Sequence, residues 1–238
     1  MDYETIENIK KKQGSPLIGI IGSTRPTEIY NMQMGIQVGY EIRKFLDNSK
    51  GKIFTGGVNG VGVDSYVGVL KFCIENIQKK GYLDESKFFV AIPKFDAETR
   101  FEDFFPREIN IPYSPSSAYF NLANLSKENK LEIEVIGENM EERREKLAKL
   151  TDLVVVVNGG AGTFEEAIMT LNASKPVISL NGSGGAAQIL NFLKNDIDIS
   201  LFIKKYHNAE RIQSLDKSNL YNINDPAELK NLLKKLGY

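Results

Sequence analysis

An α/β fold, doubly wound about a mostly parallel sheet with helices on both faces, follows from three features of this sequence. Short apolar runs alternate with longer amphipathic stretches along the chain. Some runs lack the polar alternation of a half-exposed strand, most clearly "LVVVV" at Leu153–Val157, so both faces of that strand are expected to be covered. Glycine-rich turns follow several runs directly, at the edge where an open parallel sheet binds its ligands.

The apolar runs predict strands at Leu17–Gly22 ("LIGIIG"), Lys52–Thr55, Phe88–Ile92 ("FFVAI"), Glu132–Ile136, Leu153–Val157 and Pro176–Leu180. A weaker strand is expected at Ile199–Ile203, and "LYNI" near Leu220 adds another. The stretches between them predict helices over about 27–47, 62–80, 139–150, 163–173, 185–195 and 226–236. In the first of these, Gly35 and Gly39 stand four apart on one face. Two glycines there cost helix propensity, and the expected reason is close packing of the helix on the sheet. Residues 94–130 break the rhythm with several aromatics and three prolines. Two readings stand for them: a flap or lid over a site, or an irregular surface excursion. The whole chain, 1–238, is expected to be one nucleotide-binding domain, without an interdomain linker or internal repeat.

Composition narrows the function classes. With 42% apolar and 26% charged residues the chain reads as an ordinary globular protein. Thirty basic against thirty-one acidic residues, a net charge of −1, give no case for nucleic-acid or membrane binding. The single cysteine, Cys73, cannot form an internal disulfide and lies in an apolar helical stretch, which predicts a core residue and a cytoplasmic protein. One histidine and one cysteine argue against a metal site, and no cofactor is expected. No signal peptide or membrane-spanning run is expected, since the opening residues are polar and charged.

Four turns come directly after strands: "GSTRP" (22–26), "GGVNGVG" (56–62), "NGGAGT" (158–163) and "NGSGGAA" (181–187). None has the Gly-Lys-Ser/Thr of an NTPase loop, and none has dinucleotide spacing with a following acid. A Rossmann-like mononucleotide or nucleoside-phosphate site is therefore expected, with Gly22, Ser23, Gly56, Gly57, Asn158, Gly159, Gly160, Ala161, Gly162 and Thr163 around it. Thr163 is expected to open the helix after the third turn.

Two charged residues stand out beside this edge. In "NMEERREKLAKL" (139–150) Met140, Leu147 and Leu150 form an apolar stripe, and Arg143 falls in its middle. Glu141, Glu142, Glu145 and Lys149 face away. A buried-face arginine needs an anion, either a carboxylate inside the fold or a ligand phosphate or ribose. Thr163 and Glu166 have the spacing of a capping box, yet Glu166 lies off the apolar face of Phe164, Ile168 and Leu171, where it would look across the turn at a ligand. Glu165 points closer to solvent.

The stretch "MEERREKLAKLTDLVVVVNGGAGTFEEA" closely resembles the signature of the Lonely Guy family of nucleoside 5′-monophosphate phosphoribohydrolases, long labelled "possible lysine decarboxylase". That signature is a methionine, two residues, an arginine and a lysine, then PGGxGTxxE after a strand. The match is strongest over 139–172 and looser at 17–24, 52–62 and "NDPAELKNLL". The resemblance implies that Gly159, Gly160, Gly162 and Thr163 bind phosphate, that Arg143 and Glu166 are catalytic, and that the protein is a homodimer. It departs from the pattern at Asn158 for the proline, Glu141 for a histidine and Arg144 for the lysine. The Asn158 amide is placed to contact the ligand, and Arg144 to bind phosphate. The activity implied is hydrolysis of the N-glycosidic bond of a nucleoside monophosphate, with the roles of Arg143 and Glu166 not divided by sequence. The alternative is a non-catalytic sensor or sequestering protein for a nucleotide or NAD-derived signal, in which both residues only grip.

Overall fold

The computed structural model describes residues 15–24, 26, 29–56, 60–80, 87–94, 132–203, 212 and 215–238. Seven strands form one sheet: β1 (Leu17–Gly22), β2 (Lys52–Thr55), β3 (Phe88–Ile92), β4 (Glu132–Val135), β5 (Leu153–Val157), β6 (Val177–Leu180) and β7 (Leu220–Ile223). They lie in the order β4-β3-β2-β1-β5-β6-β7, and every pairing is parallel. The helices are α1 (Met32–Phe45), α2 (Val61–Lys80), α3 (Met140–Leu150), α4 (Ala161–Asn172), α5 (Gly185–Lys194), α6 (Ser200–Ile203) and α7 (Leu229–Lys235), the last preceded by a 3₁₀ turn at Pro226–Glu228.

The core follows from strand alternation. Ile18 and Ile20 of β1 and Leu153, Val155 and Val157 of β5 point to one face, where α1, α2 and α7 cover them. Ile21, Val154 and Val156 point to the other, beneath α4 and α5. Leu17, Phe54 and Phe89 extend that second face toward α3. All five residues of β5 are buried, which explains why its sequence carries no polar alternation. Cys73, on the inner face of α2, lies in the core, as its apolar setting predicts. No described helix is long and apolar enough to cross a membrane.

Several local expectations change. The weak strand at 199–203 is instead the short helix α6. Asp198 accepts the Ser200 N–H at 2.8 Å, a local side-chain bond that competes with a sheet ladder. The first helix starts at Met32 rather than near 27, because Asn31 caps it by accepting the Gln33 N–H. Gly35 and Gly39 do not rest on the sheet but on α2. A Cβ on Gly39 would stand 2.7 Å from the Ser65 carbonyl carbon, and one on Gly68 of α2 would stand 2.8 Å from that of Ile36. The two helices thus cross with their backbones nearly touching. The segment 94–130 lies outside the described residues apart from Lys94.

Candidate functional site

The chain fills the sheet from β1 to β4 in one direction and then crosses back to lay β5 on the other side of β1. The crossovers leaving β1 and β5 diverge there, so a crevice opens at their C-terminal ends. It is a cleft of about 240 Å³, floored by Gly22 and Gly56 and walled by the first turns of α3 and α4.

Of the residues expected at a site, the fold brings Gly22, Ser23, Gly56, Arg143, Arg144, Gly160, Gly162, Thr163 and Glu166 to this cleft. Thr24 and Met140 join them. Met140 was expected in the buried stripe of its helix, but it is 38% exposed at the first position of α3, where it lines the cleft. Ala161 is exposed and opens α4 outside the cleft lining. Gly57 lies outside the described residues. Among those residues no group of three His, Cys, Asp or Glu could hold a metal ion.

Arg143 is 2% exposed and Glu166 5%. Arg143 Nε donates to the Ala91 carbonyl at 3.2 Å, and Nη2 donates to Glu166 Oε2 at 3.3 Å. The ion pair inside the fold and the position on the cleft wall therefore hold together. Arg143 Nη1 and Glu166 Oε1 have no hydrogen-bond partner among the described residues. Buried polar atoms are nearly always paired, so an orphaned donor and acceptor on one cleft wall mark a place for a ligand or water. Gly56 makes room for this pair, since a Cβ there would stand 2.7 Å from Arg143 Cζ.

A second ion pair sits at the rim, where Arg144 Nη1 donates to Glu165 Oε2 at 2.9 Å. Glu165 is thus tied to the cleft, which its solvent-side position on the helical wheel did not suggest. With both arginines matched to carboxylates, the N-terminus of α4 adds a positive feature with no side-chain cap among the described residues. Its first intrahelical bond runs from Phe164 N–H to Gly160 O, so the amides of residues 161–163 have no carbonyl within the helix.

The capping box is not formed. Helix α4 starts two residues before Thr163, its N-cap is Gly160, and no side chain caps it. Thr163 Oγ1 instead donates to the Gly22 carbonyl at 3.1 Å, tying α4 to the end of β1. Glu166 is therefore free of the backbone and turned to Arg143.

Asn158 also differs from expectation. It is fully buried and its side chain does not reach the cleft. Its Nδ2 donates to the Ser183 carbonyl and its backbone N–H to Ser183 Oγ. The fourth glycine turn, at 181–187, contributes no lining residue. Ser183 carried no signal in the sequence beyond its place among those glycines.

Comparison with known proteins adds the lineage. A family model described as "possible lysine decarboxylase" matches residues 76–220. The X-ray structure of TM1055, a structural-genomics target, is similar at 19% identity over 92% of this chain and 99% of that one, with a TM-score of 0.50. The molybdenum cofactor binding protein of the phototrophic bacterium Rippkaea orientalis is similar at 18% identity over 93% and 97% of the two chains, with a TM-score of 0.51. The molybdenum cofactor carrier protein of Chlamydomonas reinhardtii is similar at 16% identity over 93% and 98%, with a TM-score of 0.52. No curated protein matches this sequence. At such identities the structures speak for the fold, whereas the family match spans the arginine helix, the glycine turn and the glutamate that follows. The chain belongs to the family described as possible lysine decarboxylase, the older label of the Lonely Guy family.

Proposed function

We propose that this protein hydrolyses the N-glycosidic bond of a nucleoside 5′-monophosphate, with water adding to C1′ and the base leaving with a proton. The observation that carries this reading is the buried Arg143–Glu166 pair, with one orphaned donor and one orphaned acceptor on the wall of a cleft headed by a helix N-terminus. The phosphate sits over the first turn of α4, between Gly160, Gly162 and Arg144. Glu166 Oε1 then faces the ribose, where it stabilises the positive charge that develops as the bond breaks or activates the water. Arg143 Nη1 donates to the ribose or the departing base. Ground-state pairing keeps both side chains in place before the ligand arrives. At about 240 Å³ the cleft is smaller than the range of roughly 300–1,000 Å³ common for whole ligands, which suits the sugar phosphate, with the base leaving past Met140. The reading needs no metal or redox cofactor, and it includes a homodimer whose second subunit completes the open side.

The second reading is a carrier or sensor. Two structures of similar fold belong to proteins named for binding or carrying the molybdenum cofactor, and a mutually neutralised Arg143–Glu166 pair also suits a static grip.

Incubation with a panel of nucleoside 5′-monophosphates, with base release followed by chromatography, separates the two. Release of a base supports the hydrolase; tight binding without release gives the carrier its place. Gly160→Val is the matched control. Gly160 has an ordinary φ of −100° and nothing within 4 Å of an added Cβ, so the variant is expected to fold and to lose nucleotide binding. A folded variant that binds as tightly as wild type rules out a phosphate at this turn.

A further inference from the structure

We infer that Ser183 is a positioning residue for the anion turn, acting through Asn158 from a loop that contributes nothing to the cleft wall. The inference rests on the reading of the cleft as a phosphate site and adds to it the part that aims the turn.

Asn158 stands where the family pattern has proline, and its φ is 55°. A proline ring holds φ near −65°, so the backbone of this turn cannot follow the proline form. Asparagine is among the few residues that enter this left-handed region at modest cost. What holds it there is Ser183, itself fully buried. Ser183 Oγ accepts the Asn158 N–H at 2.8 Å and donates to the Leu180 carbonyl at 2.7 Å. The Ser183 carbonyl accepts from Asn158 Nδ2 at 2.7 Å. One residue thereby clamps both the backbone and the side chain of Asn158 to the end of β6.

Helix α5 completes the clamp. The Ala187 N–H donates to the Asn158 carbonyl at 3.0 Å, and the Ala186 N–H donates to the Gly159 carbonyl at 2.8 Å. Those amides of the first turn of α5 are spent on the neighbouring turn, so α5 serves as its foundation and not as a second anion site. In a trans peptide the N–H lies opposite the C=O. With the Gly159 carbonyl fixed on α5, the Gly160 N–H is turned away from α5, and Gly160 lies on the cleft wall. The clamp therefore sets the direction of a donor that a phosphate needs. Without Ser183 Oγ, the Asn158 N–H loses this bond to the end of β6 and the turn can rotate, which misaims the Gly160 amide.

The test uses ribose 5-phosphate as the probe, with affinity read by calorimetry and the Gly160 amide followed by ¹⁵N–¹H NMR. In wild type, the probe shifts the Gly160 amide. Ser183→Ala is expected to weaken binding about tenfold or more, the scale of a charge-assisted hydrogen bond, and to suppress that shift while Met140 still responds. Asn158→Gly takes a positive φ without strain and loses only the side-chain arm, so it shows a smaller, several-fold loss. A folded Ser183→Ala protein with wild-type affinity and an unchanged Gly160 shift overturns the inference. If Ser183→Ala does not fold, Asn158→Gly decides, and unchanged affinity there overturns it equally. Loss of binding in Gly160→Val beside normal binding in Ser183→Ala defeats the inference alone. Absence of any binding by wild type defeats the phosphate reading and the inference with it.

Discussion

Glu166 holds a structural charge and, on the proposed reading, a chemical one, and a single substitution separates them. As counter-ion, it neutralises a guanidinium that is 2% exposed. Loss of one partner of a buried pair costs about 3–5 kcal/mol, less what the amide oxygen of Gln recovers by accepting from Arg143. Glu166→Gln is therefore expected to melt lower than wild type yet stay folded at room temperature. As catalytic carboxylate, it supplies negative charge beside the ribose, and its loss costs about a hundredfold or more in rate with ground-state binding much less affected. The expected outcome is a folded variant that binds a nucleoside monophosphate and fails to release its base. A rate that falls only with the folded fraction would leave Glu166 as a counter-ion. Arg143→Ala is a poorer test than sequence alone suggests, since it strands Glu166 in the cleft wall and is expected to weaken fold and binding together. The sequence exposed both residues, one as a charge on an apolar stripe and one as a carboxylate off it. It did not show that they meet, because they lie on different helices and touch only across the end of the sheet.

Between elements, α1 and α2 meet at a seam of glycines that brings their backbones close together. Gly39→Ala would gain about 1 kcal/mol of helix propensity in isolation. Here its Cβ would press on the Ser65 peptide, which has no flexible end to move aside. Overpacking of this kind costs about 1–3 kcal/mol or more, so the net effect is destabilising, measured as a lower urea midpoint. A stabilised variant would show that the helices separate freely. Just before α1, Tyr30 Oη donates to Asp64 Oδ2 of α2 at 2.7 Å, a half-buried polar contact. Burial pushes the Asp64 carboxyl up to about 6 from 3.8, with the tyrosine hydrogen bond opposing it. Burial and the nearby carboxylate likewise raise the Tyr30 phenol. Because the folded state favours the protonated acid, this group stabilises most below about 3.8, and the contribution is lost as pH rises through about 6. Asp64→Asn should remove that part of the pH dependence, so wild type loses melting temperature relative to the variant across this interval. Parallel profiles for the two proteins would assign the titration elsewhere.

At the scale of the whole molecule, the switch of strand order between β1 and β5 places the cleft, and the far edge of the sheet, β7 with α7, stands away from it. Addition of a nucleoside monophosphate is therefore expected to slow hydrogen exchange at 158–165 and 22–24 while leaving 220–235 unchanged. Slowing across 94–130 in the same experiment would support that segment as a flap over the ligand or the partner subunit. Protection confined to β7 would place the ligand elsewhere. The sequence by itself determined the parallel α/β class, the limits of most strands and the glycine turns, because these follow from local apolar runs and from backbone conformations that few residues adopt. It also gave up Arg143 as a charge in the wrong place, since helical periodicity is a local property. Tertiary structure alone decided that α4 begins before Thr163, that Gly39 meets a helix and not the sheet, and that Asn158 faces Ser183 and not the cleft. Each of those outcomes depends on a partner far away in sequence, Gly22, Ser65 or Ser183, and spacing along one element carries no information about the partner it meets.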